Sequence, residues 1–262
     1  MSVWQAIFLG ALQGATEFLP VSSSGHLVVG QTLLGLEIQG VQFEVVVHVA
    51  TLISVIVMYR GRLVDLLHGT LQRDGDAWRY VGLLALATIP AGVVGVFFGD
   101  GIEALFESPF VPATAFLVTG IILWSTRRAL AREDWKKPGW RTALLIGFAQ
   151  AFALVPGISR SGTTVAMALW LGVDAEEAAA FSFLMAIPAI AGAAVLQIPE
   201  LASEGLTVSG TALAAGSIVA AVTGILAIKA FVALLARRAF HHFAIYCWGL
   251  GAASLFYLVA SA

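Results

Sequence analysis

Glu17-Phe18-Leu19-Pro20-Val21-Ser22-Ser23-Ser24-Gly25-His26 interrupts an otherwise apolar stretch, residues 3–34. It leaves two halves that are each too short to cross a bilayer, which takes about 20 helical residues. Pro20 ends the first half, because proline cannot continue a helix. Gln13 and Glu17 are four apart and share one face of that helix. The serines and Gly25 place hydroxyls and backbone N–H groups at a turn that can open a second helix, and a helix N-terminus attracts anions. A carboxylate, three hydroxyls and an imidazole within ten residues are more than a helix cap requires.

A second apolar stretch, 142–171, is broken in the same manner by Pro156-Gly157-Ile158-Ser159-Arg160-Ser161-Gly162, followed by Thr163 and Thr164. Gly10, Gln13, Ser22, Ser24 and Gly25 recur 137 positions later as Gly147, Gln150, Ser159, Ser161 and Gly162, with Phe43 and Phe181 at a similar separation. Six uninterrupted segments remain, roughly 41–59, 80–99, 112–128, 178–197, 210–232 and 243–261. The chain reads as one membrane domain, 1–262, made of two copies of a unit. The first repeat, 1–131, is a broken hairpin (3–34) and three spans; the second, 142–262, is a broken hairpin (142–171) and three spans. Interrupted segments in matching places of two halves point to a binding site near the membrane midplane.

Composition agrees. The 262 residues are 59% hydrophobic and 11% charged, where soluble domains run at about 45–50% and about 25%. The mean hydropathy is +0.91. A soluble domain is excluded on that ground. A net charge of -2 excludes a nucleic-acid binder that relies on broad phosphate contacts. One cysteine, Cys247, excludes a disulfide scaffold and a cysteine-based zinc cluster. No Lys or Arg precedes Arg60, so the first segment lacks the basic flank of a cleavable signal peptide and is expected to be retained.

Loop charges set the orientation. Arg60, Arg62, Arg73 and Arg79 fall in one loop, Arg127, Arg128, Arg132, Lys136, Lys137 and Arg141 in another, and Arg237, Arg238, His241 and His242 in a third. These three are expected to be cytoplasmic. The loops with Asp100, Glu103 and Glu107, and with Glu200 and Glu204, have no Lys or Arg and are expected outside, with both chain ends. Six spans satisfy all five loops if each broken segment enters and leaves on one side. Three spans per unit then turn the second copy upside down. The predicted fold is an all-α polytopic membrane protein with an inverted-topology repeat, six transmembrane helices and two re-entrant helical hairpins whose tips meet inside the bilayer.

Ionisable groups inside a membrane are costly and mark function. Here they are Glu17, His26, Glu44, His48 and Arg160, with Lys229 near enough to a span end to snorkel. Arg160 is the only Lys or Arg between Arg141 and Lys229, and its planar fork suits phosphate. Gly157 and Gly162 let backbone approach a ligand. Ser159, Ser161, Thr163 and Thr164 add donors, as Ser22, Ser24 and Gly25 do in the first hairpin. Glu44 and His48 share a helix face, and His48 receives no role. An acid, hydroxyls, an imidazole and an arginine in a membrane pocket fit phosphoryl chemistry on a lipid. Glu17, with Glu44 as a second candidate, would bind a divalent cation such as Mg2+ or Ca2+, which prefer oxygen ligands. Gln13 would support Glu17.

The two motifs, Gln13 to His26 and Pro156 to Thr164, resemble those of the BacA family of undecaprenyl-diphosphate phosphatases, associated with bacitracin resistance. Phe43-Glu44-Val45-Val46, Phe181-Ser182-Phe183-Leu184 with Pro188, and Phe243-Ala244-Ile245-Tyr246 extend the resemblance over essentially the whole chain. It implies hydrolysis of the C55 isoprenyl diphosphate to the monophosphate and inorganic phosphate, recycling the lipid carrier of cell-wall synthesis. It implies a divalent cation, a bacterial cytoplasmic (inner) membrane and a site open to the periplasmic side. Bacitracin would act on the substrate rather than on the protein. Glu17, Ser23, His26 and Arg160 match the family's catalytic positions. The family's acidic pair has Gln13 here in its first place, which can hydrogen-bond but not act as a base. The nucleophile stays open among Ser23, His26 and a water activated by His26. The same architecture would also suit a flippase for a polyprenyl phosphate. Small-residue spans such as 212–223 would allow close packing within the chain or in a homodimer.

Overall fold

The structure is a computed structural model that describes residues 1–33, 42–131, 135–199 and 208–260. Arg132, Glu200 and Glu204, which entered the orientation argument, lie outside the described residues. Everything regular among the described residues is helical apart from one isolated bridge between Lys136 and Val173. The helices are α1 (Val3–Phe18), α2 (Ser23–Leu33), α3 (Gln42–Met58), α4 (Arg60–Leu71), α5 (Gly75–Phe97), α6 (Gly99–Glu107), α7 (Phe110–Ser125), α8 (Trp140–Phe152), α9 (Arg160–Trp170), α10 (Ala175–Leu196), α11 (Gly210–Ala236) and α12 (Phe243–Ala260).

Local chemistry sets several of the starts. Ser2 and Gln5 form a reciprocal capping box at α1, which satisfies two N–H groups that the helix leaves open. Asp74 caps α5, and Asp174 accepts from the N–H groups of Glu176 and Glu177 at α10. Four helices, α5, α10, α11 and the Phe240–Ala260 segment, are long and apolar enough to cross a membrane; the number rises to six if each bent pair is one span. The bent pairs are α3 with α4, at 80°, and α6 with α7, at 100°. Both bends fall where the sequence suggested loops. The first Lys or Arg is Arg60, yet the chain stays helical through it, and Val64, Leu67 and Leu71 give α4 an exposed apolar stripe.

The packing partners pair off between the two halves. α1 packs on α11 as α8 packs on α5; α3 packs on α11 as α10 packs on α5; α1 meets α2 as α8 meets α9; α7 meets α12, and α3 meets α10. The repeated glycines make the first pair possible. A Cβ on Gly10 would collide with the Gly216 backbone, and one on Gly147 would stand 2.6 Å from the Ala87 carbonyl oxygen. Gly216 and Gly224 of α11 pack against Phe43 of α3 and Phe18 of α1 respectively, so the small-residue stripe is used inside the chain. Behind the two loops, Phe18, Phe183, Phe231 and Phe240 form a continuous edge-to-face aromatic column with centroids 5.6, 5.1 and 5.5 Å apart.

Polar contacts flank α3 at both ends. At its start, the Gln42 side chain accepts from Val208 N–H, and Ala6, Phe43, Val208 and Ala212 share one apolar cluster. Beyond its end, Arg62 of α4 holds the Glu177 carboxylate at 2.9 and 3.0 Å. Lys136 N–H bonds the Gly172 carbonyl on either side of the second broken segment.

Gly147→Ala should lower the melting temperature in detergent by the equivalent of about 1–3 kcal/mol, because the added carbon overpacks a backbone contact. Gly82→Ala, on the same helix as Ala87 but with nothing near the new carbon, should be neutral or slightly stabilising. Thermal unfolding of the two variants in one detergent makes the comparison.

Candidate active site

Two loops build the site, and each is held by the last helix of the other half. In the first, Ser22 takes a left-handed conformation (φ 68°) between α1 and α2. Cys247 of α12 donates from Sγ to Pro20 O at 3.7 Å, and Ser161 donates to Leu19 O at 3.1 Å. In the second loop, Gly157 has φ 92°, and a side chain there would also strike Pro112 and Ala115 of α7. Thr119 of α7 donates to Gly157 O at 2.9 Å and accepts from Ser159 N–H at 3.1 Å. The internal bonding repeats as well: Ser22 and Ser24 hydroxyls lie 3.2 Å apart, and Ser159 and Ser161 hydroxyls 3.3 Å apart.

Glu17 is the meeting point. Arg160 Nη2 donates to its Oε1 at 2.6 Å. Ser23 Oγ donates to Oε2 at 2.6 Å, and Gln13 Nε2 donates to the same oxygen at 3.1 Å. The carboxylate side chain is 7% exposed and the guanidinium side chain 16%, so this is a buried pair. Arg160 is steadied by Ser182 O, at 3.4 Å from Nη1, and Thr164 bonds both the Arg160 carbonyl and the Ser182 hydroxyl.

Glu17, Ser23 and Arg160 line a cavity of about 740 Å³, together with Ser22, Ser24, Ser159, Glu44 and His48. Five residues expected to bind phosphate do not line it. Gly25 packs on Phe116, and Gly162 gives its N–H to the capping Ser159 Oγ. Ser161 bonds across to the first loop, Thr164 supports Arg160, and Thr163 is buried. His26 does not line the cavity either. Its Nδ1 bonds Ser22 O at 2.7 Å, its Nε2 bonds the Tyr246 hydroxyl at 2.7 Å, and its ring is stacked on Tyr246 of α12. A carbonyl can only accept, so Nδ1 carries hydrogen and, in the neutral ring, Nε2 accepts from Tyr246. This histidine fastens α2 to α12.

His48, left without a role by the sequence reading, stands beside the central carboxylate. Its Nδ1 donates to Glu44 O at 2.7 Å, which directs Nε2 toward Glu17 Oε2 at 3.6 Å. The four-residue spacing to Glu44 was the visible signal; the approach to α1 was not.

The family model described as bacitracin resistance protein BacA matches residues 6–253. The chain belongs to the BacA family. It is similar to the undecaprenyl-diphosphatase of Alcanivorax borkumensis, at 42% identity over 98% of this chain and 100% of that one. It is also similar to the undecaprenyl-diphosphatase of Rubrobacter xylanophilus (41%, covering 96% and 97%) and that of Alkaliphilus metalliredigens (38%, covering 96% and 97%). Within this BacA chain, the two motifs carry the carboxylate, the hydroxyl and the guanidinium that meet in the cavity.

The two carboxylates expected to bind a divalent cation, those of Glu17 and Glu44, both line the cavity. Among the described residues no three His, Cys, Asp or Glu side chains cluster as a metal cage. Glu17 already accepts from Arg160 on one oxygen and from Ser23 and Gln13 on the other. Glu44 lines the same cavity. That donor set fits a cation of the magnesium type, which is commonly held by one or two carboxylates together with substrate phosphates.

Arg160→Ala would leave the Glu17 carboxylate buried without its cation and should cost about 3–5 kcal/mol of stability. Glu17→Gln with Arg160→Met, which removes both charges at similar volume, should recover most of that loss. Melting curves of the three proteins in one detergent test the coupling.

Proposed function

We propose that this protein is an integral membrane phosphatase that hydrolyses undecaprenyl diphosphate to undecaprenyl phosphate and inorganic phosphate. The observation that carries the reading is the convergence of the Ser23 hydroxyl and the Arg160 guanidinium on one buried carboxylate at the wall of a cavity. The relatives' shared name supplies the substrate. A polyprenyl-phosphate flippase is not favoured, because those relatives are named for hydrolysis.

Ser23 is the nucleophile in this mechanism. Its O–H points at Glu17 Oε2, so the carboxylate can take the proton as Oγ attacks the terminal phosphorus. The Oγ–P bond forms, the bridging P–O bond breaks, and the lipid monophosphate leaves with the bridging oxygen. Water then attacks the phosphoserine; its P–O bond forms, the Oγ–P bond breaks, and the proton returns from Glu17 to Ser23. Arg160 spends Nη2 on Glu17, which fixes its plane, and its remaining N–H groups are donors for charge that grows on the phosphoryl oxygens. Ser22, Ser24 and Ser159 add neutral donors from both loops. His48 lies beside the Glu17 oxygen that receives and returns the proton. A bound divalent cation, held by Glu44 and the diphosphate, would neutralise phosphate charge. Ile102, Phe106, Ile190 and Leu196 supply apolar wall for the isoprenyl tail.

The membrane arrangement follows the same reading. The two broken segments are re-entrant hairpins in an inverted repeat, 1–131 and 142–262, a reading that the matching helix contacts of the two halves support. The cavity opens to the periplasmic side of the cytoplasmic membrane, in keeping with Glu103 and Gln197 on its wall and with the charge bias of the loops.

Purified protein in detergent should release phosphate from a polyprenyl diphosphate in a cation-dependent manner. Ser23→Ala and Arg160→Lys should each lower kcat/KM by at least about a hundredfold, the second because a point charge does not reproduce the fork. Full turnover by Ser23→Ala would remove the serine mechanism. Labelling of single cysteines at positions 103 and 128 from either side of intact cells checks the orientation, with 103 expected to react from outside.

A further inference from the structure

Gln150 of α8 is 2% exposed, and neither its Oε1 nor its Nε2 has a hydrogen-bond partner. Buried polar side chains are nearly always paired, and an unpaired one is destabilising. Since both atoms are unpaired, turning the amide over does not cure the defect. The side chain lines the same cavity as Glu17, Ser159 and Arg160.

The repeat explains what is missing. Gln150 is the counterpart of Gln13, 137 residues earlier. Gln13 gives its amide N–H to Glu17, one turn further along α1. The same shift carries Glu17 to Leu154, which also lines the cavity. The second half has kept the amide and replaced its acceptor with an apolar side chain. An acceptor must therefore come from outside the chain, into a cavity whose wall already holds an arginine.

We propose that Gln150 is a substrate-positioning residue, whose side-chain N–H groups donate to the phosphate oxygens of the lipid diphosphate. The assignment rests on the phosphatase reading above and names a contact which that reading lacks. A neutral amide suits the place. It adds a donor opposite the diphosphate without adding charge beside the Glu17–Arg160 pair.

Gln150→Met keeps the volume and removes both polar atoms; Gln150→Glu keeps the shape and sets a carboxylate against phosphate. Gln150→Met should melt at the parent temperature or above it, since an unpaired amide has gone. Its kcat/KM for phosphate release from a polyprenyl diphosphate should fall ten- to a hundredfold, chiefly through KM, and Gln150→Glu should fall further. Inorganic pyrophosphate should raise the melting temperature of the parent, and less so that of Gln150→Met. A Gln150→Met protein with kcat/KM within twofold of the parent and an equal pyrophosphate shift overturns the proposal and leaves the amide to water. Failure of both variants to fold overturns it too, because the amide would then have a structural partner. A parent that releases no phosphate, yet is protected by pyrophosphate through Gln150, sinks the hydrolytic reading and leaves the contact standing. A parent with neither response overturns both.

Discussion

The buried ion pair between Glu17 and Arg160 joins the two broken helices, and most of the architecture is arranged around it. Either charge alone inside a membrane protein is strongly unfavourable, while the pair with its hydrogen bonds is tolerable. In the folded protein the two loops must therefore meet. The recurrence of residues at a spacing of 137 is not exact at the site. The shift of 137 that relates the halves takes Ser23 to Arg160, and those two side chains grip the two oxygens of the same carboxylate. The same shift takes Glu17 to Leu154, so one acid lies between them. Two acids at that depth would repel each other, and one of them would be held protonated.

The surrounding helices serve that meeting. Close approach of α1 to α11, and of α8 to α5, needs the glycines that recur in both halves. The aromatic column from Phe18 to Phe240 backs the first loop with incompressible side chains, and packing of that density transmits little slack to the residues it supports. Gln13, Ser182 and Thr164 then fix the angles of Glu17 and Arg160. The cavity is thus preorganised on its polar side, as phosphoryl transfer requires of groups that act by position and charge.

The broken segments, their repetition and the acid–hydroxyl–arginine set were legible in the sequence, because proline, glycine and serine together stop a helix inside an apolar run that would otherwise cross the bilayer. The partner of each polar residue was not legible. His26 lies three residues from Ser23, yet its ring is claimed by Tyr246, 220 positions away; no local spacing announces such a contact. His48 was visible as the neighbour of Glu44 on one helix face, but its approach to Glu17 depends on how α3 sits against α1. The loop expected at 60–79 is largely the helix α4, since a polar segment with an apolar stripe at helical spacing satisfies its backbone in a helix rather than as coil. The phosphate donors expected throughout the second motif divide into those that face the cavity and those consumed in holding the loop, a distinction that hydroxyl counting does not make.

Each loop is tied down by the last helix of the opposite half: Thr119 holds the second, while Tyr246 and Cys247 hold the first. The chain is made from one end, so this cross-bracing imposes an order in time. Glu17 precedes Arg160 by 143 residues, on the order of ten seconds of synthesis at about 5–20 residues per second. During that interval the first hairpin has its acid but neither its cation nor its final brace. The newborn half must wait, hydrated or protonated, until α9 and then α12 are delivered. The brace that Tyr246 and Cys247 give the first loop is thus the last of the site's supports to be delivered.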